Sequence, residues 1–357
     1  MENRKKRILV INNGLAGGGI ERASSSLANY FFDSGFDIEV LALYQDKIVF
    51  QLRDGISFVE PEFSRKNNGR VSFIFKMIKF IRREVKRYNP DTILAFSEWT
   101  NPYVIMALAG LNYPIFVSDR MNPLAKLPLA SELLKKLTYP RATGIIAQTN
   151  FAKRVLEKNT GAKKITVINN PVNIINPTND QQEKLIVTVG RLSSEKGHKF
   201  LIMAFAQILG HEDWRLGLIG DGPEKDNLIA LAKELGVEDR IIFYGHLKDF
   251  SKPLTQASIF VLPSLKEGFP NALIEAMAMG KPCISSDFFE GDNEIVKDGE
   301  NGLLFTPGNV QQLNEALIKL IQDENLRISM GKNASVIASK LAFPKIANEF
   351  LDLIFKK

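Results

Sequence analysis

The 357-residue chain has one cysteine and three histidines, and it lacks any apolar run of the roughly 18 residues that a membrane-spanning helix needs. The lone thiol, Cys283, excludes an internal disulfide. Its apolar setting, "KPCISSD", predicts a buried structural group in a reducing, cytoplasmic compartment. His198, His211 and His246 do not cluster with metal-ligand spacing and no D-x-D pair occurs, so neither a metal nor another cofactor is expected. The apolar stretch "VIMALAGLNYPIFV" is broken by Asn112 and Pro114. At the amino end, residues 8–11 form too short an apolar run for a secretory leader and read as a first strand. A basic stripe interleaved with aromatics is also missing, which argues against nucleic acid as a partner.

What is present is a globular composition, 45% hydrophobic and 24% charged, long enough for two domains with separate cores. The net charge of +6 is unevenly divided, with roughly +11 on residues 1–170 and roughly −5 on the remainder. The excess peaks in "SRKNNGRVSFIFKMIKFIRREVKRYN". There Lys76, Lys79, Arg83 and Lys86 follow helical spacing, and Ile74, Met77, Ile78, Ile81 and Val85 supply an apolar side. Such a helix either packs on its own sheet as an ordinary surface element or docks on anionic lipid or an anionic acceptor.

Short β-branched apolar runs alternate with helical stretches throughout. In the first half they are "RILVIN", "DIEVLALY", "ISFVEP", "TILAFS", "PIFVSD", "GIIAQT" and "ITVINN"; in the second, "KLIVTVG", "WRLGLIG", "RIIFYG", "ASIFVLPS", "KPCISSD" and "GLLFTP". This alternation predicts an α/β protein with two doubly wound parallel sheets of Rossmann type. The polar stretch 171–184 reads as a linker between a domain at 1–170 and one at 185–342. Open parallel sheets bind ligands beyond the carboxyl ends of their strands, so two joined halves suggest a cleft between them.

Three stretches carry candidate chemistry. "NNGLAGGGIERASSSLANYF" follows the first strand, where Gly17, Gly18 and Gly19 allow backbone amides close to a phosphate or sugar. The spacing is not that of a dinucleotide fingerprint, and a tight strand-to-helix turn would look the same. "VTVGRLSSEKG" places Arg191 and Lys196 after a second-half strand, able to grip a diphosphate as a fork and a point charge or to lie solvated. In "EGFPNALIEAMAMG", Pro270 suits the start of a helix and Gly280 its left-handed stop, leaving the amides of Asn271, Ala272 and Leu273 unpaired. Glu275 lies among apolar residues on all sides, so it must be paired with a Lys or Arg or with a ligand.

Taken together, these residues resemble family 4 of the retaining nucleotide-sugar glycosyltransferases, whose fold of two facing Rossmann-like domains is called GT-B. The marks are E-x7-E as Glu267 and Glu275, the "GRLSSEKG" loop, "GDGPE", the early "GGGIER", and "LAFPKIANEFLDLI", similar to a last helix (343–357) that crosses back onto the first domain. The resemblance implies that Glu275 binds the nucleotide's ribose hydroxyls, Arg191 and Lys196 hold the diphosphate, and Glu267 contacts the donor sugar. It implies donor contacts from Gly190, Gly268, Phe269, Asn271, Ala272, Leu273, Gly245, Leu247 and Ser264. It also puts Gly17, Gly18 and Gly19 at the phosphate or acceptor. Where many relatives have a histidine, this chain has Asp119 and Arg120, which bears on the identity of the sugar.

The expected reaction is transfer of an α-linked sugar from a nucleoside diphosphate sugar, with uridine the expected base, to a glycan hydroxyl with retained configuration. No metal takes part in it. The acceptor is expected to be polyprenyl-diphosphate-linked at the cytoplasmic face of the inner membrane, where Lys76, Lys79, Arg83 and Lys86 would help docking in surface-polysaccharide assembly. A nucleotide-sugar epimerase and a catalytically silent glycan- or lipid-binding protein are the alternatives, since one fold serves several functions.

Overall fold

The computed structural model describes residues 4–355 apart from 17, 68, 126, 290 and 292. All thirteen apolar runs singled out in the sequence are strands. In the first half these are β1 (Arg7–Asn12), β2 (Asp37–Ala42), β3 (Ser57–Val59), β4 (Thr92–Phe96), β5 (Ile115–Ser118), β6 (Gly144–Ala147) and β7 (Ile165–Val167). The second half holds β8 (Leu185–Val189), β9 (Arg215–Ile219), β10 (Ile241–Gly245), β11 (Ile259–Leu262), β12 (Cys283–Ser286) and β13 (Leu303–Phe305).

Among the described residues the first seven form one parallel sheet in the order β3-β2-β1-β4-β5-β6-β7, with Val10 opposite Val40 on one side and Leu94 on the other. The other six form a second parallel sheet, β10-β9-β8-β11-β12-β13. Consecutive strand residues point to opposite faces, yet Ile8, Leu9, Val10 and Ile11 are all buried, as are Ile186 and Val187, because helices cover both faces of each sheet. Both strand orders reverse once, between β1 and β4 and between β8 and β11. Loops leaving neighbouring strands part there in opposite directions and open a crevice at the carboxyl ends.

The chain divides into two compact units, Met1–Asn170 with Pro344–Lys357, and Pro171–Phe343. The polar stretch 171–184 is therefore not a free linker. Val172 N–H donates to Leu341 O, Thr178 N–H to Thr255 Oγ1 and Gln182 Nε2 to Ala257 O, fastening it along the second unit. The helix Phe343–Phe355 joins the first unit from Pro344 onward: Phe350 is fully buried beside Phe96, and Phe355 stacks on Phe36 at 5.3 Å. No helix among the described residues is long and apolar enough to cross a membrane.

Candidate active site

The second unit's reversal point brings together the loops after β8 and β11. Lys196 Nζ lies 2.6 Å from Glu267 Oε1, and Ser264 Oγ donates to the same oxygen at 2.7 Å. The Lys and Glu side chains are 26% and 9% exposed, so the pair is sheltered but open on the lysine side. Two backbone features lock the loops. Leu265 N–H donates to Glu195 O, and Gly197 adopts φ +68°, where a Cβ would stand 2.1 Å from Pro263 O. Only glycine fits there. Gly190 lies over Lys196 and the buried ring of His198, while Arg191 is exposed. Burial, with Lys196 second, lowers the His198 pKa to about 4, so the ring is neutral at physiological pH.

"GDGPE" acts as a clamp on this loop. Leu192 N–H donates to Asp221 O and Glu224 N–H to Leu192 O, both at 2.9 Å, and a Cβ on Gly222 would meet Leu192 O at 2.4 Å. Farther along the strand ends, Gly220 N–H donates to Gly245 O and a Cβ on Gly220 would meet Gly190 O. Gly245 itself has φ +69°, and Leu247 beyond it is half-buried.

The helix Asn271–Ala278 follows Glu267, Gly268 and the buried Phe269. Pro270 stands one position before it, as the cap, rather than in its first turn. This alters which amides are available. Asn271 N–H turns back to Phe269 O and Ile274 N–H bonds Pro270 O, whereas the amides of Ala272 and Leu273 meet no carbonyl among the described residues. These two carry the positive end of the helix dipole. Gly280 adopts φ +73° and ends the helix as expected. Glu275 is buried, and its Oε1 accepts a 2.8 Å bond from Asn173 Nδ2. Asn173 comes from the stretch read as linker, a partner that sequence spacing gives no means of finding.

In the first unit, Gly18 and Gly19 begin the helix Gly19–Asp33, with the Glu21 carboxylate folded against Gly18; Gly17 lies outside the described residues. Asp119 is buried in a polar cluster, 2.5 Å from Lys135 Nζ and accepting a bond from Tyr139 Oη. It also lines a hollow with Glu132 and Lys135. Arg120 donates from Nε to Ser118 Oγ and from Nη1 to Asn170 Oδ1, and stacks on Phe96 and Phe350 at 5.3 and 5.8 Å. Its buried Nη2 has no partner among the described residues, and burial lowers its pKa to about 10. Sequence reasoning missed Glu98, buried after β4 with an unpartnered Oε2. Its carboxyl is pushed up to about 7 by desolvation first and Asp119 second, against smaller pulls from backbone amides and Lys135.

The basic stretch is a helix, Arg70–Tyr88, burying Phe73, Met77, Phe80, Ile81 and Val85. Lys76, Lys79 and Lys86 are exposed, and Lys76, Lys79 and Arg83 line a hollow of about 220 Å³ with Glu62. Arg83 is exposed as well, and its Nε donates to Glu84 Oε1 at 2.6 Å, part of a network that also ties Arg87 to Glu84 and Glu39. Among the described residues no three His, Cys, Asp or Glu side chains gather into a metal-binding group.

Residues 172–336 match the family described as "Glycosyl transferases group 1", and residues 17–175 match "Glycosyltransferase Family 4". The lipopolysaccharide 1,6-galactosyltransferase of Salmonella typhimurium is 34% identical over 71% of this chain and 74% of that one. The chain belongs to these glycosyltransferases. A Campylobacter jejuni relative, named as an N-acetylgalactosamine-N,N'-diacetylbacillosaminyl-diphospho-undecaprenol 4-alpha-N-acetylgalactosaminyltransferase, is 27% identical over 94% of this glycosyltransferase and 96% of its own length. Among solved structures, the lipopolysaccharide outer core galactosyltransferase WaaB in its apo form is 25% identical. It superposes with a TM-score of 0.81 over 98% of this chain and 99% of that one, which gives the glycosyltransferase a GT-B fold. Within it the group 1 match contains Arg191, Lys196, Glu267 and Glu275.

Proposed function

We propose that the enzyme transfers an α-linked sugar from a nucleoside diphosphate sugar to a hydroxyl of a lipid-diphosphate-linked glycan, with retention and without a metal ion. The observation that carries the donor half is the Lys196–Glu267 pair at the reversal point of the second sheet, a few residues before the amides of Ala272 and Leu273 that meet no carbonyl among the described residues. A diphosphate entering there draws Lys196 and Arg191 onto its oxygens, and the two amides point where negative charge grows on the leaving group. Glu267 keeps its Ser264 bond when Lys196 turns away, so the carboxylate is not left buried and unpaired. It then faces the sugar. Glu275, oriented by Asn173, is the acceptor for the two ribose hydroxyls.

As bonding to the diphosphate weakens, the sugar gains oxocarbenium character and the acceptor attacks from the same face, losing its proton to the departing phosphate oxygen. The names of the relatives support the acceptor class: two Campylobacter jejuni proteins are titled as acting on undecaprenyl-diphosphate-linked sugars, and the Salmonella protein as acting on lipopolysaccharide. Arg120, with one buried guanidinium nitrogen unpartnered, is the group we assign to sugar selection in the first unit.

The test is a thermal-shift panel of nucleoside diphosphate sugars, with uridine donors expected to raise the melting temperature, since a ligand bound only by the folded state stabilises it. Incubation of the stabilising donor with a polyprenyl-diphosphate oligosaccharide follows, with the anomeric configuration of the product read by NMR. A β-linked product would overturn retention. Donor conversion without acceptor would identify an epimerase instead.

A further inference from the structure

His198 follows the last glycine of "GRLSSEKG" and opens the nine-residue helix His198–Ala206 beyond β8. Its side chain is left unmatched. The residue is 3% exposed, its Nδ1 is sealed off without a hydrogen-bond partner, and neither ring nitrogen makes a hydrogen bond among the described residues. Native interiors leave few such groups unmatched, and those few call for a reason.

The position of the ring supplies one. Gly190, the first residue after β8, has no side chain, and a Cβ placed on it would stand 3.9 Å from Cε1 and 4.0 Å from Nε2 of His198, and 3.8 Å from Lys196 Cδ. The bare glycine leaves the Cε1–Nε2 edge without a covering side chain on that side, beside the stem of Lys196. A proton on Nδ1 would be a buried donor with nothing to bond, whereas a lone pair there costs less. The ring, kept neutral by burial and by the Lys196 charge, therefore carries its proton on Nε2. The acids of the two loops do not compete for it: Glu195 accepts from Ser193 Oγ, and Glu267 is held by Lys196 and Ser264. The helix start adds two more donors. Phe200 N–H turns back to Gly197 O, but the amides of His198 and Lys199 meet no carbonyl among the described residues. Such a group of donors favours an anion.

We propose that His198 binds the donor's diphosphate directly, its Nε2–H donating to a phosphate oxygen next to Lys196. The proposal deepens the donor reading and rests on it. A packed, uncharged ring is already oriented when negative charge grows on the leaving group, so its hydrogen bond needs no reorganisation at that moment.

Calorimetric titration of the full chain with UDP, ADP and GDP selects the tightest nucleotide, which is then compared with its own nucleoside. His198→Phe keeps a ring without the donor. It should weaken the diphosphate about tenfold or more, the loss of one hydrogen bond to a charged group, and leave the nucleoside within about twofold. His198→Gln, whose amide nitrogen reaches a similar point, should recover most of that loss. Gly190→Ala sets a methyl in ordinary contact with the ring edge, so the chain should fold, lose diphosphate affinity, and show little further loss when combined with His198→Phe. In a His211→Gln, His246→Gln chain the one imidazole left, labelled with nitrogen-15, should show the Nε2–H tautomer and shift its Nε2 signal when the diphosphate is added. A chain that binds none of the three nucleotides would remove the donor reading and this inference with it. Where a nucleotide binds, this inference alone is overturned by a folded His198→Phe chain of unchanged diphosphate affinity, by equal losses for diphosphate and nucleoside, by Gly190→Ala and His198→Phe losses that simply add, or by an Nε2 signal that does not move.

Discussion

Lys196 Nζ and Glu267 Oε1, 71 positions apart in the chain, form a 2.6 Å ion pair because the strand order reverses between the strands that precede them. The pair holds each group ready for a different task, so its two halves should fail differently. Lys196→Ala removes the point charge on the leaving diphosphate and should lower kcat about 10²–10³-fold, the loss typical of one preorganised electrostatic contact. Glu267→Gln keeps Lys196 available to phosphate, so donor affinity measured by thermal shift should fall less than turnover does. Equal affinity losses would place both groups on the diphosphate.

The Gly222 contact with Leu192 O makes a separate prediction. A methyl at 2.4 Å from that carbonyl must displace the loop carrying Arg191 and Lys196. Gly222→Ala should cost about 1–3 kcal/mol of stability, as crowding of a packed site does, and raise the donor KM. A variant with unaltered KM would show that the loop position does not depend on the clamp.

Glu98 predicts a pH dependence of stability. Its carboxyl titrates at about 7 in the folded chain, above the ordinary 4.5, so the unfolded chain ionises first as pH rises. The stability this group contributes is complete below about 4.5 and falls through the window up to about 7, by at most about 1.4 kcal/mol per pH unit. Glu98→Gln cannot ionise. Relative to the native chain it should therefore gain stability at pH 8 compared with pH 4, read from paired melting curves; a difference that does not change with pH would rule out the buried acid.

On the helix Arg70–Tyr88, Lys76→Gln with Lys79→Gln should lower transfer to a lipid-linked acceptor more than to a soluble analogue. Arg83→Gln should add little, because Arg83 is already engaged by Glu84. Equal losses on both acceptors would remove this helix from lipid recognition.

Chelation offers a further check on the mechanism. With Arg191, Lys196 and the Ala272 and Leu273 amides carrying leaving-group charge, transfer should be unchanged in excess EDTA. A several-fold loss restored by a divalent cation would require a metal in the reaction.

The strands were legible because a sheet covered on both faces writes itself as continuous β-branched apolar runs, from "RILVIN" to "GLLFTP". Glu267 and Glu275 were legible because their spacing and the apolar residues around Glu275 single them out. What could not be read were partners set by tertiary packing. Asn173 on Glu275, Lys135 on Asp119 and the desolvation of Glu98 join positions whose proximity no local pattern encodes. The stretch 171–184 looked like a linker because polarity marks a loop without saying which surface satisfies its hydrogen bonds. The helix Leu129–Thr138 shows the same limit from the other side: periodicity identifies two faces but not which is turned to water, and a buried Lys135 reverses them.

The return of the chain at Pro344 has a consequence for biosynthesis. The ring of Phe350, buried against Phe96, leaves the ribosome only after the whole of Pro171–Phe343 has been made. The unit begun first is thus finished last, and its nascent sheet waits with an open flank while the later unit, contiguous in sequence, folds without interruption.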